Sequence, residues 1–399
     1  MKICVVGLGY VGLPSACIFA EAGHFVTGVD VSKNVLEKIT CDNPSFEEPL
    51  LDKLLKKVIK SGNLQISSFP INADIYVICV PTPLKDNFKP DIGFVKSVVE
   101  NLSKVIKNNS LVIIESTIPY GTTSLMKDYI LELNPNIKSK EIFFAHCPER
   151  VLPGNAIYEI KNNNRVIGGL SKESGIRAKE FYQSFSNGDI QVTDAGTAEL
   201  VKLVENSYRD VNIAFANEIA NICENIDTDH ETLIKLANKH PRVDILKPGP
   251  GVGGHCIPVD PWFLVDGFKN DTLLINTARK INLEKVNRVV TKAISLSKSH
   301  NLNQIYLLGL SYKANIGDFR ESPSIEIMDK LSSQTSFKII AIDPYLNTRN
   351  FISNQIETFR GIEIFENDSL ILGLVKHKEF SELELKNDTQ KNIYYVNYC

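Results

Sequence analysis

The stretch Pro248-Gly249-Pro250-Gly251-Val252-Gly253-Gly254-His255-Cys256-Ile257-Pro258-Val259-Asp260-Pro261 is the most chemically suggestive segment of the 399-residue sequence. Four glycines in six residues let a backbone wrap closely round a ligand, and a cysteine follows at once with a carboxylate four residues on. Cys256 has the setting of a nucleophile, and Asp260 that of a base or water-positioning group. A free thiol titrates near ~8.5, so attack at neutral pH needs a cation or hydrogen-bond donors that favour the thiolate. His255 is the sequence neighbour, and its side chain is free to point away. One Cys-His pair without a second spaced pair is poor zinc geometry, so no metal is expected. By residue type alone, Cys256 fits a nucleophile and a structural thiol equally well.

Other segments supply partners. Lys202 and Asn206 are four apart in a helical stretch and share a face. Aimed at a substrate, they could steady an oxyanion or orient a water; on an ordinary surface helix they would be solvated. Ser311-Tyr312-Lys313 ends a strand-like run, and Asp318-Phe319-Arg320-Glu321-Ser322-Pro323-Ser324 precedes a probable helix, which together make a plausible phosphate grip. At the other end of the chain, Gly7-Leu8-Gly9-Tyr10-Val11-Gly12 follows a β-branched run directly. These glycines permit a tight turn, close approach of a pyrophosphate, and close helix–strand packing. Asp30 lies 18 residues past Gly12, where a carboxylate binds ribose hydroxyls and repels a 2′-phosphate, pointing to NAD. Pro81-Thr82-Pro83 and Ser116-Thr117 each follow a presumed parallel strand, where an open sheet binds its ligand, although such residues also cap helices.

The elements that must position these groups follow from hydrophobic period. Lys2–Val6, Phe25–Val29, Ile75–Val80 and Leu111–Glu115 read as strands, Pro14–Ala22 and Phe94–Ile106 as helices. The alternation implies a parallel sheet with right-handed crossovers, extended by Phe143–Ala145 and Arg165–Ile167. Thr197–Cys223 reads as one helix of ~40 Å at ~1.5 Å per residue, a spine between domains. Helical spacing resumes over Asn276–Ser299, and strands return at Ile305–Leu310, Phe337–Ile342, Ser369–Val375 and Ile393–Val396. The expected fold class is α/β: two Rossmann-like doubly wound domains joined by a long central helix and a helical middle domain. The boundaries fall at 1–190, 191–300 and 301–399.

Composition narrows the function classes. Lys and Arg total 44 against 47 Asp and Glu, a net charge of -3 that argues against a broadly basic nucleic-acid binder. No apolar run approaches the ~20 residues of a membrane span. Met1-Lys2 passes straight into a strand with no signal-peptide pattern, so a cytosolic protein is expected. The eight cysteines include no C-x-x-C pair, and Cys4, Cys17 and Cys79 sit in apolar runs as reduced core thiols do.

The chain resembles the nucleotide-sugar 6-dehydrogenases, the family that contains UDP-glucose dehydrogenase. The likeness runs through the N-terminal G-x-G-x-x-G, "ESTIPYGTT", "CPER", "AELVKLVENSYRDVNIAFANE", "GVGGHC" with Asp260, and "KANIGDFRESPS", in the family's order. Members acting on UDP-glucose typically read G-G-S-C then P-K-D. Here the loop reads G-G-H-C-I-P-V-D-P-W-F, and with "HCPERVLPG" and "NRVIGG" it points to UDP-N-acetyl-D-mannosamine as the substrate, with UDP-N-acetylglucosamine the nearest rival.

The resemblance implies oxidation of the sugar C6 alcohol to a carboxylate in two hydride transfers to NAD⁺. Cys256 would form a thiohemiacetal and then a thioester, which water hydrolyses. Lys202 and Asn206 would stabilise oxyanions, Asp260 would assist proton transfer, and Glu149 and Thr117 would handle a proton-relaying water. The cofactor would be held by Gly7, Gly9, Tyr10, Val11, Gly12, Asp30, Pro81, Thr82 and Thr117, with Arg320 reaching from the far side of the interdomain cleft. The UDP-sugar would meet Glu149, Arg150, Val151, Lys202, Asn206, Arg209, Gly253 and Lys313. His240 and Arg242 would meet it too, from the same chain or across a dimer interface. The implied assembly is a homodimer or a higher oligomer, and no nucleic-acid or membrane partner is implied. Two departures from the pattern stand out: Val35 occupies a position that is basic in many relatives, with Lys33 nearby, and Asn397 replaces a more usual Asp. A single-step NAD-dependent hydroxyacid dehydrogenase also joins a Rossmann domain to a helical one. It needs neither Cys256 nor the second α/β domain, which counts against it.

Overall fold

In a computed structural model, all residues except 42–47, 153, 347–355, 360–364, 382, 384–387 and 399 are described. The chain divides into two compact units, Met1–Glu205 with Trp262–Gly267, and Asn206–Pro261 with Phe268–Cys399.

The first unit is built on an eight-stranded sheet. Its strands are β1 (Lys2–Val6), β2 (Phe25–Val29), β3 (Leu64–Ser67), β4 (Ile75–Ile78), β5 (Leu111–Ile114), β6 (Phe143–His146), β7 (Arg165–Gly169) and β8 (Ile190–Asp194). Their order is β3-β2-β1-β4-β5-β6-β7-β8. The strand order reverses at β1, between β2 and β4, and crevices at such reversals are where doubly wound sheets take their ligands. β4 and β5 are buried along their whole length, which explains why they read as continuous apolar runs rather than alternating ones. Two cores cover the two faces of the sheet, one around Leu13, Phe19 and Phe181, the other around Tyr76, Val99 and Phe144.

The expectation of a wholly parallel sheet needs one correction. β6 and β7 are antiparallel, through Ala145 opposite Gly169 and His146 opposite Gly168. The helix α6 (Ala156–Asn162) returns the chain to the edge of β6 in the opposite sense, and β8 then pairs parallel with β7. Strand and helix periods do not encode this direction.

The second unit carries the five-stranded sheet β11-β10-β9-β12-β13, parallel throughout. Its strands are β9 (Gln304–Leu308), β10 (Lys338–Ile342), β11 (Ile356–Phe359), β12 (Ser369–Gly373) and β13 (Ile393–Asn397). Here the order reverses at β9, between β10 and β12. Helix α12 (Pro323–Gln334) starts cleanly because Ser322 accepts the Ser324 N–H and Pro323 occupies the first turn.

The long helix α8 runs Ala195–Asn225, 31 residues, a little longer at each end than its apolar period suggests. Within the second unit it is fastened to α11 (Leu273–Ser299) by a buried ion pair, Asp210 to Arg279 at 2.5 Å. Burial pushes the Asp210 carboxyl up and Arg279 pulls it back. Breaking such a pair while leaving one charge buried costs about 3–5 kcal/mol. No helix among the described residues is long and apolar enough to cross a membrane.

Candidate active site

In the first unit the glycine loop forms as its spacing predicts. Gly7 has φ +94°, and a β-carbon there would lie 2.5 Å from the Cys79 carbonyl oxygen, at the end of β4. A β-carbon on Gly12 would lie 1.8 Å from the Gly7 oxygen. Gly9 differs: among the described residues, nothing beyond its chain neighbours lies within 4 Å of its would-be β-carbon. Two glycines thus serve the turn and the third leaves open space beside the start of α1 (Gly12–Glu21), whose N-cap residue Val11 makes no side-chain cap. Open backbone next to a helix N-terminus suits a pyrophosphate. Tyr10 points its hydroxyl to Glu48 at 2.9 Å, and Glu48 also accepts the Gly154 and Ala156 N–H groups, so the loop is tethered to the start of α6. Asp30 follows β2, and its carboxylate accepts the Leu8 and Ser32 N–H groups, both at 2.9 Å, so it ties the glycine loop to the end of the strand.

The polar strand ends are wired together. Thr82 Oγ1 donates to the Thr117 carbonyl at 2.7 Å, and Ser116 Oγ donates to Val80 O at 2.7 Å. Beyond β6, one oxygen of Glu149 accepts the Arg150 N–H at 2.7 Å and the other faces Arg165 at 3.3 Å. The Arg150 side chain pairs with Glu205 at 2.8 Å. Lys202 is half-buried on α8.

In the second unit, Asn206 and Asp260 are both buried, and Asn206 Nδ2 donates to Asp260 Oδ2 at 2.6 Å. The Asp260 N–H in turn bonds the Cys256 carbonyl at 2.9 Å, so the carboxylate is fixed relative to the thiol-bearing residue. Cys256 itself is partly exposed. The start of its loop is moored by Asn217 on α8, which accepts the Gly249 N–H at 2.9 Å and donates to Asn282 at 3.0 Å.

The loop's glycines face protein. A β-carbon on Gly253 would lie 2.6 Å from Pro323 Cδ and 2.8 Å from both Glu321 O and Tyr312 Cβ. One on Gly254, at φ +83°, would meet the Tyr312 ring at 3.0 Å. The expected wrapping round a ligand is therefore, at these two positions, wrapping round the segment after β9 and the start of α12. Arg320 grips Asp318 through several N–H bonds, the shortest 2.6 Å. The Arg320 guanidinium and the Tyr312 hydroxyl both feel the charge of Cys256, and His255 contributes to holding Asp318 low. A cation within electrostatic reach is the condition that an activated thiol requires.

A buried polar clamp holds that segment. His377, Asp343 and Ser311 are fully buried. His377 Nδ1 accepts the Asn315 N–H at 3.0 Å, which leaves Nε2 to carry the proton toward Asp343 and Ser311 at 3.2 and 3.1 Å. Asp343 also accepts the Leu310 and Ser311 N–H groups, and these bonds outweigh burial, so its carboxyl titrates below its ordinary value. Lys313 projects exposed from this fixed turn. His240 and Arg242 are exposed in the turn after α9 (His230–Ala237), and Arg209 is exposed on α8.

Sequence reading missed several participants. Tyr312 was noted only as the neighbour of Lys313, and Asp343, His377, Glu115, Arg165 and Tyr182 were not singled out. Arg165 left a signal, as a lone Arg opening the otherwise buried strand β7. The rest are ordinary residues until tertiary contacts bring them together.

Three family models of the UDP-glucose/GDP-mannose dehydrogenase family match in succession: the NAD-binding domain over residues 1–186, the central domain over 196–284 and the UDP-binding domain over 306–395. UDP-N-acetyl-D-mannosamine dehydrogenase of Campylobacter jejuni is 41% identical, over 96% of this chain and 97% of its own length. NDP-N-acetyl-D-galactosaminuronic acid dehydrogenase of Ralstonia nicotianae is 39% identical, over 96% and 92%. Among solved structures, UDP-N-acetyl-mannosamine dehydrogenase of Staphylococcus aureus superimposes with TM-score 0.89 at 36% identity, covering 100% of this chain and 98% of that one.

Proposed function

Because the chain belongs to the UDP-glucose/GDP-mannose dehydrogenase family and is an NAD-dependent oxidoreductase, we propose that it oxidises C6 of UDP-N-acetyl-D-mannosamine to the uronate through a thioester on Cys256. The observation that carries the mechanism is the Asn206–Asp260–Cys256 connection, which sets a buried carboxylate and an amide at fixed places beside a partly exposed thiol. The substrate reading rests on the G-G-H-C loop and on the names of the two mannosamine enzymes described above.

Bound against the Gly7–Gly12 loop and Asp30, with Pro81, Thr82 and Thr117 beyond it, NAD⁺ supplies the hydride acceptor. The chain's own residues do the rest. Asp260 takes the proton of the C6 hydroxyl, directly or through a water held with Glu149 and Thr117. The Cys256 thiolate, favoured by Arg320, adds to the C6 aldehyde. Lys202 and Asn206, one helical turn apart, stabilise the resulting oxyanion, whose collapse to the thioester would release the second hydride to a second NAD⁺. Glu149 then orients the water that cleaves the thioester and frees the thiol. Lys313, Gly253, Arg150, Val151 and Arg209 bind the UDP-sugar. Residues 1–190 form the cofactor domain, 191–300 the helical middle and 301–399 the UDP-sugar domain.

The assembly is a homodimer through α8, to which His240 and Arg242 each contribute across the interface. Val204, Tyr208, Phe215 and Ile222 recur on α8 at intervals of four and seven and are exposed in the single chain, an apolar stripe suited to a second copy. A monomeric mass by light scattering would contradict this. The product serves as a precursor of a surface polysaccharide or glycan and is made in the cytoplasm; recovery of the protein in the exported fraction would contradict the location.

The substrate assay is direct. Purified protein with NAD⁺ should oxidise UDP-N-acetylmannosamine at least ~10-fold faster than UDP-glucose, because a pocket built around an N-acetyl group leaves polar groups unpaired against a plain hydroxyl. Equal turnover of UDP-glucose sinks the reading, and preference for UDP-N-acetylglucosamine or UDP-N-acetylgalactosamine redirects it to a neighbouring epimer.

A further inference from the structure

Behind the ends of β4, β5 and β6 lies a cluster of polar side chains that the mechanism above uses only through Glu149. Glu115, Arg165, Tyr182 and Cys147 are all buried, and Cys79 is largely so. The Tyr182 hydroxyl donates to Glu115 Oε1 at 2.5 Å, and the Cys79 thiol donates to Oε2 at 3.2 Å. Arg165 reaches Glu149 at 3.3 Å, bonds the Ile160 carbonyl at 2.8 Å and lies 4.9 Å over the Tyr182 ring. Glu149 thus pairs with the guanidinium, and Glu115 lies within its electrostatic reach, in a largely buried place.

Charge counting decides the state of the pair. With both carboxyls ionised, the cluster would carry a net negative charge without solvent, which low-dielectric surroundings oppose. One proton is retained. Glu149 receives a guanidinium and a backbone N–H. Glu115 receives only neutral donors, a phenol and a thiol, so the proton stays there.

We propose that Glu115 is a positioning residue that holds this proton for the Glu115–Arg165–Glu149 cluster, keeping Arg165 committed to Glu149 and Glu149 oriented. The inference rests on the reading of Glu149 as the carboxylate that orients the hydrolytic water. Every other group packed around Glu115 keeps one state near neutrality. Burial pushes Cys79, Cys147 and Tyr182 up, so they stay protonated, and burial holds His146 on β6 down to about 4, so it stays neutral. Burial opposes the Arg165 charge, but Glu149 and its neighbours more than restore it. Glu115 alone in the cluster is brought to the working range, raised to about 7 by burial first and by Glu149 second. When it ionises, Arg165 is divided between two anions and its hold on Glu149 weakens.

Glu115→Gln fixes the neutral state with the same shape and tests this in two ways. The first is the ratio of variant to wild-type kcat, which should rise by about threefold or more between pH 6 and pH 8.5, as the wild type alone loses the proton. A merely structural role would leave that ratio flat, and a flat ratio overturns the proposal. The second is thermal unfolding. The folded-state value lies above the ordinary 4.5, so the stability that Glu115 contributes is complete below that pH and disappears as pH rises through about 7. The Tm of Glu115→Gln relative to wild type should therefore climb from pH 5 to pH 8; a constant difference contradicts the retained proton. Glu149→Gln separates the two readings. If it keeps wild-type turnover while the Tm difference still climbs, the role of Glu149 is wrong and the proton on Glu115 stands. If Glu149→Gln is inactive but the Glu115→Gln differences are flat, the reverse holds.

Discussion

The chain carries two glycine-rich loops, and they use the same residue for opposite purposes. At Gly7–Gly12 the outer glycines are pressed against backbone, while Gly9 faces open space beside a helix N-terminus. At Gly249–Gly254 the space is already full: Gly253 and Gly254 sit against Tyr312, Glu321 and Pro323. The first loop lacks side chains so that a ligand can approach, and the second so that protein can. A cofactor loop must be vacated at each turnover, whereas a loop carrying a nucleophile must hold it still. The buried mooring by Asn217 and the His377–Asp343–Ser311 clamp serve that second need.

The comparison can be broken by adding one methyl group to each loop. Gly253→Ala should have the largest effect. Its β-carbon has contacts of 2.6–2.8 Å with a proline ring, a carbonyl and the Tyr312 β-carbon, none at the far end of a flexible chain. Overpacking of this kind costs about 1–3 kcal/mol. A displaced thiol should also cost about 100-fold in kcat, with NAD⁺ affinity little changed. Thermal melts and steady-state kinetics check both; normal kcat would show that the loop tolerates movement.

Gly9→Ala should come next and look different. Among the described residues nothing opposes the methyl group, so stability should stay within about 0.5 kcal/mol of wild type. The added atom occupies the pyrophosphate's approach, and the NAD⁺ KM should rise about 10-fold or more. A large fall in Tm with unchanged KM would reverse the assignment of the two loops.

Asp30 sharpens the same contrast, because its carboxylate accepts the Leu8 N–H of the cofactor loop and the Ser32 N–H beyond β2, and in the proposed reading it also meets the ribose. Wild type should prefer NAD⁺ over NADP⁺ by about 10-fold or more in kcat/KM. Asp30→Asn should narrow that preference and cost about 1 kcal/mol of stability for the weakened loop bonds. The smallest effect is expected from Tyr312→Phe, which keeps the packing against Gly254 and removes a hydroxyl near Cys256: a few-fold fall in kcat, about 1 kcal/mol or less, with Tm unchanged.

Much of this was legible in the residue order. Ten of the strands, the long helix and the glycine loop lie within a few residues of where the sequence places them, because apolar period and turn residues are local properties; the edge strands β3, β8 and β11 carry too short an apolar pattern to stand out. The antiparallel β6–β7 pair was not, since strand direction depends on how a connection returns. At the proposed site, Cys256, Asp260, Lys202 and Asn206 stand out in the sequence by type and spacing, and the structure joins Asn206 to Asp260. Glu115 did not: it closes an apolar run and reads as a polar strand end, and only burial against Arg165 and Tyr182 gives it a charge problem. The clamp at His377 draws on residues 66 positions apart, a distance that no local pattern spans.

The central claim is that Cys256 carries the sugar carbon through the second oxidation. An aldehyde yields hydride poorly, whereas its thiohemiacetal restores an sp³ carbon bearing an oxyanion. The most direct measurement is the stoichiometry of NADH to uronate for wild type and Cys256→Ala, with binding of NAD⁺ and UDP-sugar measured alongside. Wild type should release two NADH per uronate. The variant should bind both ligands with near-normal affinity, form uronate at least ~1,000-fold more slowly, and stop near one NADH with the carbon left as aldehyde or hydrate. Uronate formation by Cys256→Ala at close to the wild-type rate would contradict the account, leaving the thiol structural and the second oxidation to an aldehyde hydrate.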